Sequence, residues 1–455
     1  MSGRRHLILL ALLVIVGGFA ASLPEGSVSG SSRPALPEQV TVVPTPPDFN
    51  PAPYREPPPA VGPLVTRLND EGMVLYEAGE LSEALVKFEQ ALAWNRADRI
   101  VRRNLALTKT RLAWRQVEAG KYDEAVRAFK EAEAIQPGEG GILLGLGVTH
   151  HFRGEDGQAK TLLLRALDAD ANLVIAHKLL GEIAYGDDEL DIAAAHFEAV
   201  LRLDPADVVV RERLDRVRNE AQAQAGFQRL EGRHFTVKFG GRADPAFARD
   251  ILGRLEAAYQ DVGRWLGPFP DRTVPVILYA EEEFHDVTVT PAWAQGVFDG
   301  KIRLPVGGAS VQAELLNKVI RHEYTHALVH ARTRGHVPTW LTEGLAIVFE
   351  GNDVRRGWDL LRKADHLVPL RELHGSFLTL PPSQRSLAYA ESFAAVQYLI
   401  DRHGVRPVRT LLKDLGGSKD FDRTFQEALG LPYPDFQAAF IRGVSGCAVA
   451  PFHCD

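Results

Sequence analysis

Hydrophobic and polar positions follow a helical period from about residue 64 to residue 222. Small residues recur in this stretch at fixed distances, each time followed by an aromatic or aliphatic residue. The four sets are Gly72, Gly79, Ala84, Phe88 and Ala91; Ala113, Gly120, Ala125, Phe129, Ala132 and Pro137; Gly147, Gly154, Ala159, Leu163 and Ala166; and Gly181, Ala193, Phe197, Val200 and Pro205. The last three sets are 34 residues apart and the first step is 41 residues, which predicts one helix about two turns longer than its counterparts.

This spacing resembles the tetratricopeptide repeat, in which small residues let two paired helices approach closely. The chain departs from that pattern at Arg96 and Ala171, where proline is expected, and at Asp188, where glycine is expected. The resemblance implies an N-terminal all-α solenoid of four units over residues 64–222. Its concave face would bind a peptide or a protein partner; the alternative is a structural spacer.

The period changes after residue 222. The pattern there predicts a strand at 234–239, an amphipathic helix at 247–265, a second strand at 274–279 and a hairpin at 296–305 that turns at Asp299-Gly300. From about residue 312 onward the pattern is mainly helical. Strands followed by helices predict an α+β domain, here over residues 228–446.

The N-terminus predicts export. Arg4, Arg5 and His6 precede an apolar run from Leu7 to Val16 and then small residues, as in a signal peptide over residues 1–22. Counted from residue 7 to 23, the same run reaches about 17 residues, the lower limit for a membrane span. The protein is therefore expected to be periplasmic or otherwise extracytoplasmic, either soluble or anchored to the inner membrane. Residues 23–63, rich in Pro, Gly and Ser, predict a linker.

The net charge bears on the expected binding partners, and the cysteine content bears on disulfide formation. The formal charge is −7 and the basic residues are spread along the chain, which argues against a nucleic-acid partner. The two cysteines, Cys447 and Cys454, both lie in the tail 447–455. In an oxidising compartment they could close one small loop; the alternative is two free thiols.

Candidate chemistry lies on a predicted helix over residues 314–331. Leu316, Ile320, Tyr324, Ala327 and Ala331 form its apolar stripe. His322 and His326 stand at i and i+4, so both imidazoles can reach one Zn²⁺ at about 2.0–2.1 Å. Glu323, between them, suits a general base that takes a proton from water.

A third ligand is expected downstream. A histidine six residues after His326 is excluded, because Arg332 stands there. Glu343, early on a second predicted helix after Pro338, is the better candidate, since a carboxylate in so apolar a helix is costly unless it is paired or bound to metal. Gly344 and Ala346 are small, which predicts close packing of this helix on the first. Glu350 is a weaker alternative ligand. The remaining alternative is that the Glu343 side chain faces solvent and binds no metal.

These residues resemble the gluzincin peptidases, and most of all the bacterial "peptidase MA-like" domains. The likeness rests on His322-Glu323-x-x-His326 followed by Trp340-Leu341-Thr342-Glu343-Gly344-Leu345-Ala346, and covers about residues 228–445. It implies a zincin-like metallopeptidase domain with one Zn²⁺ per chain. It also implies that residues 301–305 form the edge strand that holds substrate backbone, and that Tyr389 donates to the oxyanion. The alternative for Tyr389 is a core residue or a residue at the start of a helix.

The sequence thus predicts an exported zinc-dependent peptidase. His322, His326 and Glu343 would bind the metal, Glu323 would act as the base, and the repeats would recruit a protein substrate. One alternative is a repeat-based scaffold whose peptidase-like domain is inactive. Another is a zinc-stabilised structural domain, against which Glu323 counts, because such a site needs no base.

Overall fold

The computed structural model describes residues 62–446, with gaps at 241–243, 268–271, 281–282, 285–287, 289–295, 307–312, 352–354, 365 and 418–419. The predicted leader 1–22, nearly all of the predicted linker 23–63 and the tail with Cys447 and Cys454 lie outside the described residues. Among the described residues, no helix combines the length and the apolar composition that a membrane span requires.

The described residues divide into two compact units. One comprises the residues up to Tyr185 together with Glu189–Arg218, and the other comprises Gly186–Asp188 and the residues from Asn219 onward. The first unit is built from paired helices, which confirms the predicted solenoid class. These helices are α1 (Pro63–Glu77), α2 (Leu81–Trp94), α3 (Arg99–Glu118), α4 (Tyr122–Ile135), α5 (Gly140–Phe152), α6 (Asp156–Ala169), α7 (Val174–Gly186), α8 (Leu190–Leu203) and the start of α9 (Val208–Ala223).

Close helix crossings explain the small residues of the repeat. A Cβ atom on Gly72 would lie 2.6 Å from the Phe88 ring, and one on Gly181 would lie 2.6 Å from Phe197. Helix α3 has 20 residues, whereas α1, α5 and α7 have 15, 13 and 13. The longer helix predicted from the 41-residue step is therefore α3. Its start is fixed by Asp98, whose carboxylate accepts hydrogen bonds from the backbone N–H groups of Ile100 and Val101.

The second unit contains a five-stranded sheet in the order β1-β2-β3-β5-β4. The strands are β1 (Gln228–Glu231), β2 (Phe235–Phe239), β3 (Val274–Ala280), β4 (Val297–Phe298) and β5 (Ile302–Val306). β2, β3 and β5 are parallel, and the two outer strands are antiparallel to their neighbours. The strands predicted near β2 and β3 and the hairpin at Asp299-Gly300 are present, and Gly300 has φ +103° in its turn. β1 was not anticipated.

The order of the last two strands corrects one expectation. Of the described strands, β4 lies at the edge of the sheet, where Val297 pairs with Arg303 and Phe298 pairs with Ile302. Residues 301–305 are therefore not the outermost strand, because β4 covers the first part of β5. The prediction was wrong because both halves of a hairpin alternate alike, and the alternation does not tell which half faces the rest of the sheet.

The helices of the second unit cover one face of this sheet. α10 (Pro245–Leu266) and α11 (Ala313–Thr333) pack on it through a shared apolar core that includes Val237, Val276 and Leu304. The remaining helices are α12 (Thr339–Glu350), α13 (Arg355–Lys363), α14 (Pro382–His403), α15 (Val405–Leu415), α16 (Phe421–Leu429) and α17 (Tyr433–Gly446), with short 3-10 turns at Glu372–His374 and Phe377–Thr379. This is the predicted α+β class.

Helix α12 packs on α11, as predicted, and also on α14. A Cβ atom on Gly344 would lie 2.2 Å from the backbone oxygen of Ser392 and 2.5 Å from Val396, both on α14. Gly344 therefore allows α12 to pack closely on α14, and α12 also packs on α11, as predicted. The sequence indicated a close approach but not the second partner, because the spacing of small residues does not show how many helices flank α12.

Candidate metal centre

Helix α11 has one face that packs in the apolar core and another face that carries the candidate metal-binding side chains. Ile320, Tyr324 and Ala327 are fully buried in the apolar core, as their helical spacing predicted. His322, Glu323 and His326 carry the polar side chains of the same two turns. Each is buried or half-buried, so this polar face is not a solvated one.

The two histidines point the same ring nitrogen at each other. The Nε2 atoms of His322 and His326 are 3.0 Å apart. His322 Nδ1 is hydrogen-bonded to Glu350 Oε1 at 2.7 Å, and His326 Nδ1 is hydrogen-bonded to the Thr342 hydroxyl at 3.0 Å. A proton on each Nδ1 leaves the lone pair of each Nε2 directed into the shared space, which is the arrangement that metal-binding histidines use.

Glu343 completes the group from α12. Its Oε2 atom lies 3.7 Å from His322 Nε2 and 3.6 Å from His326 Nε2. With 3.0 Å between the two nitrogens, a point roughly 2.0 Å from all three atoms exists, which matches zinc–nitrogen and zinc–oxygen bond lengths of about 2.0–2.2 Å. Within the described part of the chain, these three residues are the only cluster of His, Cys, Asp and Glu side chains close enough to hold a metal ion. The donor set fits zinc.

Glu350, the alternative metal ligand considered from the sequence, contacts the other side of the His322 ring. It is 2% exposed and its carboxylate bonds the Nδ1 side of His322, away from the Nε2 atom that faces Glu343. It therefore orients His322 and is not among the three clustered donor atoms. The sequence offered Glu350 as a weaker alternative ligand, because it does not show which ring nitrogen a carboxylate contacts. Thr342, which plays the same part for His326, was missed, although it directly precedes Glu343.

Opposite charges dominate the electrostatics of the group. Burial alone would raise the pKa of Glu343, but His326 and His322 outweigh it and lower that pKa. Burial would likewise lower the pKa of His326, but the carboxylates of Glu343, Glu323 and Glu350 raise it. The pKa of His322 is lowered, by burial first and by neighbouring His326 second. The carboxylate form of Glu343 is thus stabilised by its two histidine neighbours.

Glu323 stands beside the group and is covered by the β4–β5 hairpin. It is 5% exposed, and burial raises the pKa of its carboxyl group. A Cβ atom on Gly296, just before β4, would lie 2.9 Å from both Cγ and Oε1 of Glu323 and 2.9 Å from Val319. Only a glycine lets the backbone come this close. Gly296 was not singled out from the sequence, although it opens the predicted hairpin.

Two known protein families match parts of the chain. Residues 267–439 match the Peptidase MA superfamily. Residues 116–183 match a tetratricopeptide repeat family. The chain therefore combines a repeat region with a Peptidase MA domain. No curated protein matches it.

Solved structures resemble the repeat region. TTC0263, a thermophilic TPR protein of Thermus thermophilus, is 21% identical over 34% of this chain and 98% of its own, with a TM-score of 0.22. The MamA RS-1 ArsTM double mutant is 17% identical over 35% and 86%, with a TM-score of 0.29. YrrB, a TPR protein with an unusual peptide-binding site, is 18% identical over 36% and 86%, with a TM-score of 0.28. At such TM-scores, the repeat assignment depends on the family match and the helix pairs.

Tyr389 lies near Glu343 and Glu323 of the candidate metal centre. It sits on α14, with its ring edge-on to Phe377 at 5.1 Å. Burial is the main cause of the raised pKa of Tyr389, and the negative charges of Glu343 and Glu323 raise it further. The tyrosine predicted as an oxyanion donor is thus close enough to sense both carboxylates, and it is also partly packed in the core.

Proposed function

We propose that the Peptidase MA domain is a zinc-dependent peptidase. The observation that carries the proposal is the convergence of His322 Nε2, His326 Nε2 and Glu343 Oε2 on one point, with the buried carboxylate of Glu323 beside it. A structural zinc site would use four protein ligands and no base. Three ligands and an adjacent carboxylate instead fit a catalytic site with an open position.

Each residue has a defined part in hydrolysis of a peptide bond. When bound, zinc supplies Lewis acidity and lowers the pKa of a coordinated water towards about 7. Glu323 accepts a proton from the attacking water and then delivers it to the leaving amine. Tyr389 donates its hydroxyl proton in a hydrogen bond to the oxygen on which negative charge develops. Glu350 and Thr342 hold the two imidazoles in the required orientation.

The repeat region is proposed to recruit the protein substrate or a partner on its concave face. A second candidate function is a scaffold in which the repeats alone do the work. The repeat match supports binding in either case.

Digestion of a general peptide library tests the peptidase proposal. The purified protein is expected to cleave library members, a metal chelator is expected to stop the cleavage, and added Zn²⁺ is expected to restore it. Sites of cleavage read by mass spectrometry would give the side-chain preference. A zinc-loaded protein that cleaves no member of the library would contradict the peptidase proposal and favour the scaffold.

We also propose that the chain is exported, because of the basic and then apolar pattern of residues 1–22. Residues 1–63 fused to a reporter that works only outside the cytoplasm should give a signal. A silent reporter retained in the cytoplasm would contradict export. The mass of the mature chain would distinguish a cleaved leader from an anchor.

A further inference from the structure

The face of the sheet that does not pack on α10 and α11 carries a buried cluster of charges. Lys301 Nζ lies 2.6 Å from Asp188 Oδ1 and 2.8 Å from Glu220 Oε1. Arg303 binds Glu220 through two nitrogens, Nη1 to Oε1 at 2.8 Å and Nη2 to Oε2 at 3.1 Å. These four side chains are between 0 and 3% exposed. All belong to the compact unit that includes Gly186–Asp188.

Neighbouring polar groups complete the cluster. The Tyr279 hydroxyl accepts from Arg303 Nη1 and from Gln224 Nε2, both at 3.1 Å. Lys238 pairs with Asp188. Burial would raise the pKa of Glu220, but Arg303 and Lys301 outweigh it and lower that pKa to about 2. Glu220 is therefore a carboxylate at neutral pH, held by two cations.

Stability alone does not explain such a cluster. Burying charges is costly, and well-packed apolar residues in place of a buried ion pair are often neutral or stabilising. What an ion cluster does provide is geometry, because each charged group accepts only partners at particular distances and angles. The elements that the cluster joins therefore indicate its role.

Asp188 is the member of the cluster that most clearly indicates a specific role. It stands where three other repeats have a left-handed glycine, namely Gly79, Gly120 and Gly154, and it has φ +60° itself. A non-glycine residue in this region is strained, although aspartate tolerates it better than most. The repeat pattern is broken at the one position whose carboxylate binds Lys301 and Lys238.

The cluster also holds the β4–β5 hairpin. Arg303 Nε donates to Asp299 Oδ1 at 3.0 Å, and Asp299 lies in the hairpin turn. The other strand of the hairpin, β4, lies along the active-site helix α11. Gly296, which precedes β4, approaches Glu323, and the Phe298 ring lies 5.5 Å from the His330 ring. A continuous path of contacts thus runs from Glu220 through Arg303 and Asp299 to the backbone that covers Glu323.

We propose that the buried cluster of Asp188, Glu220, Lys301 and Arg303 positions the β4–β5 hairpin against α11, and that Glu220 and Arg303 are positioning residues for the base Glu323. The inference depends on the proposed peptidase function for its effect on turnover. Its effect on the hairpin itself is independent of that function.

The expected effect is on the chemical step. A displacement of about 1 Å in an active site can lower the rate by about 10²-fold. A loosened hairpin would change the surroundings of Glu323 without touching His322, His326 or Glu343. Turnover should therefore fall while the zinc content stays the same.

Two variants of the full chain test this, with one matched control. Glu220→Gln keeps the shape and removes the central charge. Asp299→Asn loosens only the turn and, with a side chain 35% exposed, leaves the cluster itself intact. The control is Glu256→Gln, because Glu256 binds the backbone N–H and the Nδ1 of His234 beside the same sheet, at 2.9 and 2.6 Å, and has no contact with the hairpin among the described residues.

Two readouts distinguish failure of this inference from failure of the proposed function. In peptide cleavage, kcat should fall about 10- to 100-fold in Glu220→Gln and less in Asp299→Asn, with KM and zinc content unchanged and the control at the wild-type rate. In hydrogen exchange, the amides of residues 296–303 should lose protection in both variants but not in the control. Unchanged protection in both variants overturns the positioning role, whether or not the protein cleaves peptides. Lost protection with an unchanged kcat overturns the link to Glu323.

Discussion

Replacement of Glu323 by glutamine is expected to lower peptide cleavage by about 10²- to 10⁴-fold while zinc stays bound, because general-base catalysis is typically worth that much. Glutamine keeps the shape of the side chain and removes its basicity. Glu323 is buried beside the three candidate ligands and is not one of them. Rates of cleavage and zinc content should be measured on the same preparations.

Glu314→Gln is the matched control, since it makes the same change at an exposed position in the first turn of the same helix. It should cleave at the wild-type rate. The scaffold alternative predicts a different pattern in cells that lack the native protein. There, Glu323→Gln would restore the phenotype and changes on the concave face of the repeats would not. A fully functional Glu323→Gln protein would thus favour the scaffold over the enzyme.

Glu391 is expected to make the protein less stable as the pH rises from about 4.5 to about 8. It is fully buried on α14, its Oε1 accepts from the Val368 N–H at 2.8 Å, and no described group hydrogen-bonds its Oε2. Burial raises its pKa to about 8. Since each pKa unit is worth about 1.4 kcal/mol, the free energy of unfolding should fall by up to about 5 kcal/mol over this range.

The sign follows from proton binding. The folded protein holds the Glu391 proton more tightly than the unfolded chain does, so this contribution is complete below about pH 4.5 and lost as the pH passes through about 8. Glu391→Gln cannot titrate. Denaturant unfolding at pH 5, 7 and 9 should show the variant close to wild type at pH 5 and more stable than wild type at pH 9. The control Glu427→Gln, at an exposed carboxylate, should differ from wild type equally at all three. A constant difference for Glu391→Gln would contradict a raised pKa.

The repeat unit was largely predictable because the spacing of its small residues reflects contacts between helices that are neighbours in the sequence. Gly72 and Gly181 are small because an aromatic ring from the paired helix occupies the space of a side chain. Such pairs lie within one repeat, so the sequence shows both partners at a fixed distance. The extra length of α3 was predictable for the same reason, since seven additional residues fit only as additional helical turns.

The candidate ligands were predictable because helix geometry alone brings His322 and His326 together. Glu343 required one further argument, the cost of a carboxylate among apolar residues. Their assignment as zinc ligands remains a prediction, supported by the distances among the three atoms.

The remaining features depend on contacts between distant parts of the chain. Asp188 stood out in the sequence as a departure from the repeat, but its partner Lys301 is 113 residues away. Gly296 is close to Glu323 only because the hairpin lies along α11. The register and the order of β4 and β5 fix that contact, and neither follows from alternation of apolar residues.

Glu350 gives the metal account a further specific consequence. As the partner of His322 Nδ1, it should affect zinc affinity without being required for binding. Loss of a group that orients a ligand typically costs about 10- to 100-fold in metal affinity. Glu350→Gln should therefore bind zinc more weakly, whereas a ligand variant should not retain it at all.

The most direct test of the central claim is the zinc content of the purified full chain. About one zinc per chain is expected in the wild type, as a single three-ligand site implies, and none after dialysis in His326→Ala or Glu343→Ala. A full complement of zinc in both variants would contradict the assignment of His322, His326 and Glu343 as the metal centre.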